Sequence, residues 1–325
     1  MLDALRFVQG AVGKKDFIPA LTHYRIKNGI ITSYNGSIAL SCPIACDLDC
    51  MPKAQPFFRA IKNCKETVSL HMTEAGRLAV QSGSFRAYID CIPDESVTPV
   101  EPEGKFIEEF DGERIITALT ECFPFVGVDA SRPWSMGALI DGSSVFATNN
   151  VILVQYYTGS KFPFVCNLPR QAVAEVLRIK KIPVSVQGDA TSVTFHYDDG
   201  AWLRTNLYST EWPNMVSMIL GAESNQQPID KRLFEGIESL RSFNEGDIYN
   251  RVYLTEQGLA TAKEDGVGAA YDIEGFELRG CYNISMLELL IDKIETADFT
   301  QYPAPTLFIG NDSMMRGAIV GMKET

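Results

Sequence analysis

The sequence predicts an α+β protein in which one plan, two helices packed on antiparallel hairpins, is repeated three times. Three observations carry this. Apolar residues recur at helical spacing in six short windows, the segments between them alternate at period two, and loop-like stretches fall at 97–104 (VTPVEPEG) and 221–230 (GAESNQQPID). The expected repeat boundaries are 1–104, 105–226 and 227–325.

The first repeat opens with a helix over 2–12, with Leu2, Leu5, Val8 and Val12 on one side. Strands follow in HYRIKNGIITSYNGSIALSCPI, where Asn28 with Gly29 and Asn35 with Gly36 are hairpin signals. A second helix over 55–65, QPFFRAIKNCK, leads into VSLHM, RLAVQS and FRAYIDCIP, each alternating. In the second repeat, Ile115, Ala118, Leu119 and Cys122 form the stripe of the opening helix, and MGALID, SVFATNN and VILVQYYT are strands. The second helix of that repeat lies in 167–186, NLPRQAVAEVLRIKKIPVSV. Pro169 suits its first turn, and Ile182 followed by Pro183 ends it before Val184 and Val186 start a strand. Ala172, Val173, Val176 and Leu177 share one arc, Arg170, Ala174, Arg178 and Lys181 the adjoining one, with Gln171 and Glu175 beyond. The third repeat has helix KRLFEGIESLRSF, hairpins over 250–280, helix ISMLELLIDKIE and the closing strands PTLFIG and RGAIVGM.

At 46% hydrophobic residues, 325 residues supply enough apolar surface for real cores. No run of about 18 apolar residues is present, so no membrane-spanning helix is expected. The N-terminal stretch carries Asp3 and Arg6 early and reads as an amphipathic helix, not a secretion signal. Eight scattered cysteines fit a reducing cytoplasm. Three of them form CPIACDLDC, a Cys-x3-Cys-x3-Cys run off the spacing of common zinc pairs. Ile38, Leu40, Cys42, Ile44, Cys46, Leu48 and Cys50 share one parity there, so a half-buried strand with small thiols on its inner face is expected.

The net charge of −12 argues against a nucleic-acid partner until its distribution is counted. Windows 1–15, 54–66, 112–122, 169–181, 230–243 and 284–296 hold 15 of the 29 lysines and arginines but only 11 of the 41 aspartates and glutamates. The helices are basic in an acidic chain. A surface bearing Arg6, Lys14, Lys15, Arg59, Lys62, Arg114, Arg170, Arg178, Lys181, Lys231, Arg232 and Arg241 can follow a phosphate backbone without reading bases.

Catalytic patterns are lacking. His23, His71 and His196 lie on expected strands without a paired motif. Gly266, Val267 and Gly268 follow Asp265 as a hairpin turn, outside the strand-to-helix setting of a nucleotide loop.

Four landmarks then resemble the bacterial DNA polymerase III beta subunit, the DNA sliding clamp. FIPALTHYRIKNGIITSYNGSIAL at 17–40 resembles that family's leu-pro-ile-leu … ala-thr-asp passage, and FATNNVILV at 146–154 stands where it has ala-thr-asp-gly-his-arg-leu. Trp212, Pro213 and Asn214 resemble its phe-pro-asp, and AIVGMK at 318–323 its val-val-met-pro-met-arg. The chain is shorter than typical cellular members, which points to a phage-encoded clamp. The resemblance implies three clamp-type domains, a head-to-tail homodimer closed into a six-domain ring, and helices lining a hole for double-stranded DNA. It implies tethering of a DNA polymerase, opening by a clamp loader, no catalysis, no cofactor or metal, and work in the bacterial or infected-host cytoplasm.

The family's partner-peptide pocket maps onto Thr148, Val151, Ile152, Leu153, Ile219, Leu220, Thr306, Ile319, Val320 and Met322. Asn150, Val151 and Ile152 replace gly-his-arg, and 221–227 is reworked, which alters peptide specificity. Lys15 matches a basic position that touches DNA in the family, and Arg132 and Trp134 match a loop that approaches it. Three alternatives are weaker. A thiol or cluster enzyme would rest on the cysteine run, a strand-rich viral structural or tail protein would not require basic helices, and a trimeric two-domain clamp conflicts with three repeats.

Overall fold

The computed structural model describes the chain except for Asp16, residues 95–99, 245–246, 265 and 324–325, and the side chain of Met215. Part of the expected 97–104 linker and the Asp265 before the glycine turn therefore lie outside the described residues. The α-helices are α1 (Leu2–Val8), α2 (Ala54–Asn63), α3 (Gly112–Cys122), α4 (Arg170–Ile179), α5 (Met215–Leu220), α6 (Lys231–Leu240) and α7 (Ile284–Glu288). The chain packs as two compact units, one of residues 1–116 with 171–209, the other of 117–170 with 210–325. Each therefore combines segments from consecutive expected repeats.

The first unit is built on a seven-stranded antiparallel sheet. Arg25–Lys27, Ile30–Tyr34 and Ile38–Pro43 are followed across it by Trp202–Asn206, Ser192–His196, Ser185–Gly188 and Lys105–Ile107. The join is the pairing of Trp202 to Thr205 with Ser41 to Ile38. Helix α1 packs on Ile30–Tyr34 and Ile38–Pro43, where Leu5 and Val8 are fully buried with Ile31 and Leu40. The Ser33 hydroxyl donates to the Val8 carbonyl at the end of that helix. Fully buried Phe57 carries α2 onto Tyr24, ring centroids 6.3 Å apart.

The second unit has an eight-stranded antiparallel sheet, in the order Cys166–Pro169, Gly137–Asp141, Ser144–Thr148, Ile152–Tyr157, Met315–Ile319, Thr306–Gly310, Ile294–Ala297 and Gln227–Pro228. Its centre is the pairing of Ile152 with Ile319 through Tyr156 with Met315. A separate four-stranded sheet carries α6, with α7 alongside.

Several sequence expectations change in detail. The strand drawn through 38–50 ends at Pro43, which cannot donate to a ladder, and Cys50 instead bridges to Ile26. Both parities of Ile38–Pro43 are buried up to Cys42, so the strand is not half-exposed. Pro169 is the last residue of a strand, paired with Gly137, and α4 begins at Arg170. That helix ends earlier than Pro183 because Lys180 adopts φ +56°, the left-handed conformation that closes helices. The helix expected over 284–296 stops at Glu288, and the chain returns to a strand at Ile294. Glu175, placed outside the apolar arc, is buried: its carboxylate lies over Gly10, where an added Cβ would stand 1.6 Å from Oε1. Helix α5 has no counterpart in the sequence reading.

Gly317 is the tightest point of the central pairing, because a Cβ there would meet the Leu153 carbonyl oxygen at 2.4 Å and the Phe308 ring at 2.3 Å. Backbone on one side and a core ring on the other leave nothing that can yield cheaply. Gly317→Ala is therefore expected to lower unfolding free energy by about 2 kcal/mol, read from urea melts of the two proteins.

Candidate partner-peptide pocket and nucleic-acid surface

The turn joining Ser144–Thr148 to Ile152–Tyr157 is locked by its own side chains. Asn149 Oδ1 accepts from the N–H groups of Val151 (3.1 Å) and Ile152 (2.7 Å). Thr148 Oγ1 donates to the Ile152 carbonyl (2.7 Å) and accepts from the Asn150 N–H (3.0 Å). Asn150 sits at φ +72°, a conformation that asparagine tolerates and β-branched residues avoid. Its Nδ2 donates to Ser135 Oγ at 3.3 Å, in the 3-10 turn Pro133–Met136.

Beside this turn lies a cavity of about 220 Å³. Thr148, Asn150, Val151, Ile152 and Leu153 form one wall, Val216 and Ile219 of α5 another, and Pro305, Ala318 and Val320 a third, with Arg132 and Trp134 at the remaining side. Trp134 packs edge-on against Trp212, centroids 5.3 Å apart, which steadies both the 3-10 turn and the approach to α5. The walls are apolar apart from the Arg132, Thr148 and Asn150 side chains, and the Thr148 hydroxyl is already used in the turn.

Of the residues mapped to the pocket from sequence, Thr148, Val151, Ile152, Leu153, Ile219 and Val320 stand in its walls. The other four lie elsewhere. Ile319 is 1% exposed and Thr306 fully buried, with Thr306 Oγ1 2.7 Å from the Tyr282 hydroxyl. Leu220 faces a second hollow of about 350 Å³ on the other side of α5, with Leu139, Phe146 and Trp212. Met322 is bound through its backbone, donating to the Cys281 carbonyl (2.7 Å) and accepting from the Tyr302 hydroxyl (2.7 Å).

Ala318 and Val320, not Ile319, line the cavity because alternate residues of a strand point to opposite faces. Asn150, Val216, Pro305 and Ala318 were not foreseen. The spacing of Val216, Ile219 and Leu220 was the available signal for α5, masked by its brevity.

The predicted DNA-facing cations divide into two sets. Arg6 pairs with Asp3 (3.0 Å), Arg114 with Asp111 (3.0 Å), Arg232 with Asp230 (2.6 Å), Arg241 with Glu288 (3.0 Å) and Lys181 with Asp199. The hydrogen bond from Arg232 holds the Asp230 carboxyl below its ordinary range. Arg170 lies over the Phe123 ring (4.6 Å) and donates to the carbonyls of Phe123 and Val126. Arg178 binds Glu175 (2.7 Å) and donates to the carbonyls of Arg6 (3.1 Å) and Phe7 (2.7 Å) at the end of α1. The stripe of Arg170, Arg178 and Lys181 is thus engaged within the fold. By contrast Lys14, Lys15, Arg59, Lys62 and Lys231 are exposed and without an ion pair among the described residues.

Searches of protein-family models and of curated proteins find no match. Solved structures do. The beta subunit from the DNA polymerase of Streptococcus pyogenes superposes with a TM-score of 0.83 at 14% identity, over 99% of this chain and 97% of that one. Caulobacter crescentus pol III beta gives 0.85 at 15% identity over the same shares. The fold is that of a DNA sliding clamp. A third match, the Helicobacter pylori beta clamp bound to a DNA ligase peptide, gives 0.77 at 16% identity, again over 99% and 97%. At 14–16% identity the likeness is one of fold.

The two sets of cations differ in what their removal does to the clamp fold. Arg178→Gln strands a buried carboxylate and two helix-terminal carbonyls and is expected to cost about 2 kcal/mol in urea melts. Arg59→Gln removes an exposed, unpaired charge and is expected to stay within about 0.5 kcal/mol of the parent.

Proposed function

We propose that this protein is a DNA sliding clamp and polymerase processivity factor. Two copies join head to tail into a ring of six repeats, duplex DNA passes through the hole, and a clamp loader opens the ring. A DNA polymerase and other partners are tethered by short peptides seated in the pocket beside α5. The chain catalyses nothing; its work is topological and takes place in the cytoplasm of a bacterium or of an infected host. The observation that carries this reading is the clamp fold over 99% of the chain.

Three further features support it. Each unit keeps a small sheet with edges unpaired among the described residues, Ser69–Met72 and Phe85–Ile89 in one and Ala270–Asp272 in the other. Joining such edges between copies satisfies their backbone groups and closes the assembly. The unpaired cations Lys14, Lys15, Arg59 and Lys62 all belong to the first unit, around α1 and α2, and their chemistry suits loose, sequence-independent contact with phosphates. Among the described residues no helix is long and apolar enough to cross a membrane.

Native mass spectrometry is expected to give twice the 36.0 kDa chain mass, and particle images a ring whose hole admits duplex DNA. A compact monomer or a trimer at micromolar concentration rules the six-repeat ring out. Reversing Lys14, Lys15, Arg59 and Lys62 to glutamate together is expected to reduce retention on circular duplex DNA, most strongly at low salt, while the dimer mass is unchanged.

A further inference from the structure

We infer that Phe17, in the loop after α1, stacks on an unpaired base of single-stranded DNA while Lys14 and Lys15 hold the flanking phosphates; this rests on the clamp reading above, which brings DNA to the chain. Phe17 is 87% exposed and Ile18 beside it 57%, so packing within the fold accounts for neither. Lys14 and Lys15 are exposed and without an ion pair among the described residues. The Lys15 ammonium lies 5.8 Å from the centroid of the Phe17 ring, so cation and ring share one place. The stretch GKKDFI at 13–18 stays net positive with Asp16 counted, in a chain of net charge −12.

The loop is tied at its base. The Gly13 N–H donates to the Leu21 carbonyl (2.7 Å) and the Leu21 N–H to the Ile18 carbonyl (3.0 Å). Gly13 fits closely there, since an added Cβ would stand 3.0 Å from both the Cβ and the carbonyl oxygen of Leu21. The 3-10 turn Pro19–Thr22 follows, where the Thr22 hydroxyl donates to the Pro19 carbonyl (2.9 Å) and His23 Nδ1 lies 2.7 Å from the same oxygen. An anchored main chain therefore presents two lysines and a ring to solvent. The third repeat supplies a contrast. After its first helix, α6, Phe243 is 63% exposed, but Arg241 is paired with Glu288 and Arg251 with Asp247. Of these two loops, the one after α1 joins an open ring to unpaired cations.

Duplex DNA keeps the faces of its bases stacked on one another and offers an outside ring little but sugar and phosphate. A single strand offers base faces to the ring and phosphates to the ammonium groups at once. Every base has a π-face, so such a contact is indifferent to sequence, as a protein that slides requires. A protein partner is a poorer match. Its apolar side chains need walls to be buried against, and a ring this open supplies none, whereas stacking needs only one free face.

The test titrates the full-length protein at low salt into fluorescein-labelled oligo(dT) and, separately, into a blunt duplex of the same length, read by fluorescence polarisation. Phe17→Ala is expected to weaken oligo(dT) binding about tenfold and to leave duplex binding within about twofold, with an unchanged melting curve. Phe17→Leu, which keeps apolar bulk without a π-face, is expected to behave as Phe17→Ala does. Phe17→Trp is expected to bind as the parent does, and its added indole emission to be quenched by oligo(dT). Phe243→Ala is expected to match the parent throughout. The inference is overturned if the parent does not bind oligo(dT), if Phe17→Ala or Phe17→Leu binds it as well as the parent, or if Phe17→Ala weakens duplex binding equally. Those results leave the clamp reading standing; that reading falls instead if the dimer mass and retention on circular duplex DNA are not found.

Discussion

The antiparallel pairing of Ile152–Tyr157 with Met315–Ile319 is the contact on which the second unit depends. It joins residues more than 150 positions apart in the chain and makes one eight-stranded sheet of strands that would otherwise end in open edges. It also builds the pocket. Once these strands are in register, the turn at 148–152 and the chain from Ala318 to Val320 are brought to opposite sides of one hollow. Gly317 permits the close approach, with the Leu153 carbonyl and the Phe308 ring filling the space a side chain would occupy. The first unit repeats the device with Trp202–Asn206 on Ile38–Pro43.

Charge in this protein is handled largely within the fold. Seven of the twelve helix-borne cations read from the sequence answer to carboxylates or carbonyls, some within one helix turn and others on distant segments. Arg178 is the clearest case, because it joins buried Glu175 to the carbonyls that end α1 and thereby ties the first helix to α4. An exposed pair such as Arg6 with Asp3 contributes little to stability, whereas Arg178 satisfies buried groups that would be costly to leave alone. The unpaired lysines and arginines are thereby set apart as the charges available to a partner.

The pocket shows how far short segments can be read from sequence. Thr148, Val151 and Leu153, read from one contiguous turn, stand in the walls of the hollow. Ile319 and Thr306 do not, because a landmark gives position along a strand and not which face a side chain takes. Helix α5 has only six residues, too few for periodicity to stand out, yet it supplies Val216 and Ile219. Trp134 and Arg132, read toward DNA, stand in the wall of the hollow, and Trp134 packs on Trp212 beside it.

Sequence by itself determined the α+β class, the repeating helix and hairpin plan, the basic character of the helices and the likeness to clamps. These depend on local periodicity, turn residues and composition, all of which are properties of neighbours in the chain. Tertiary structure decided which strands share a sheet, which face of 318–320 meets the cavity, and which cations remain unpaired. Those depend on partners brought together from distant segments, such as Glu175 over Gly10 and Ala318 beside Leu153. The stripe of Arg170, Arg178 and Lys181 was visible in the helical spacing of one stretch of sequence; that its charges are spent inside the fold follows from acceptors that the spacing does not contain.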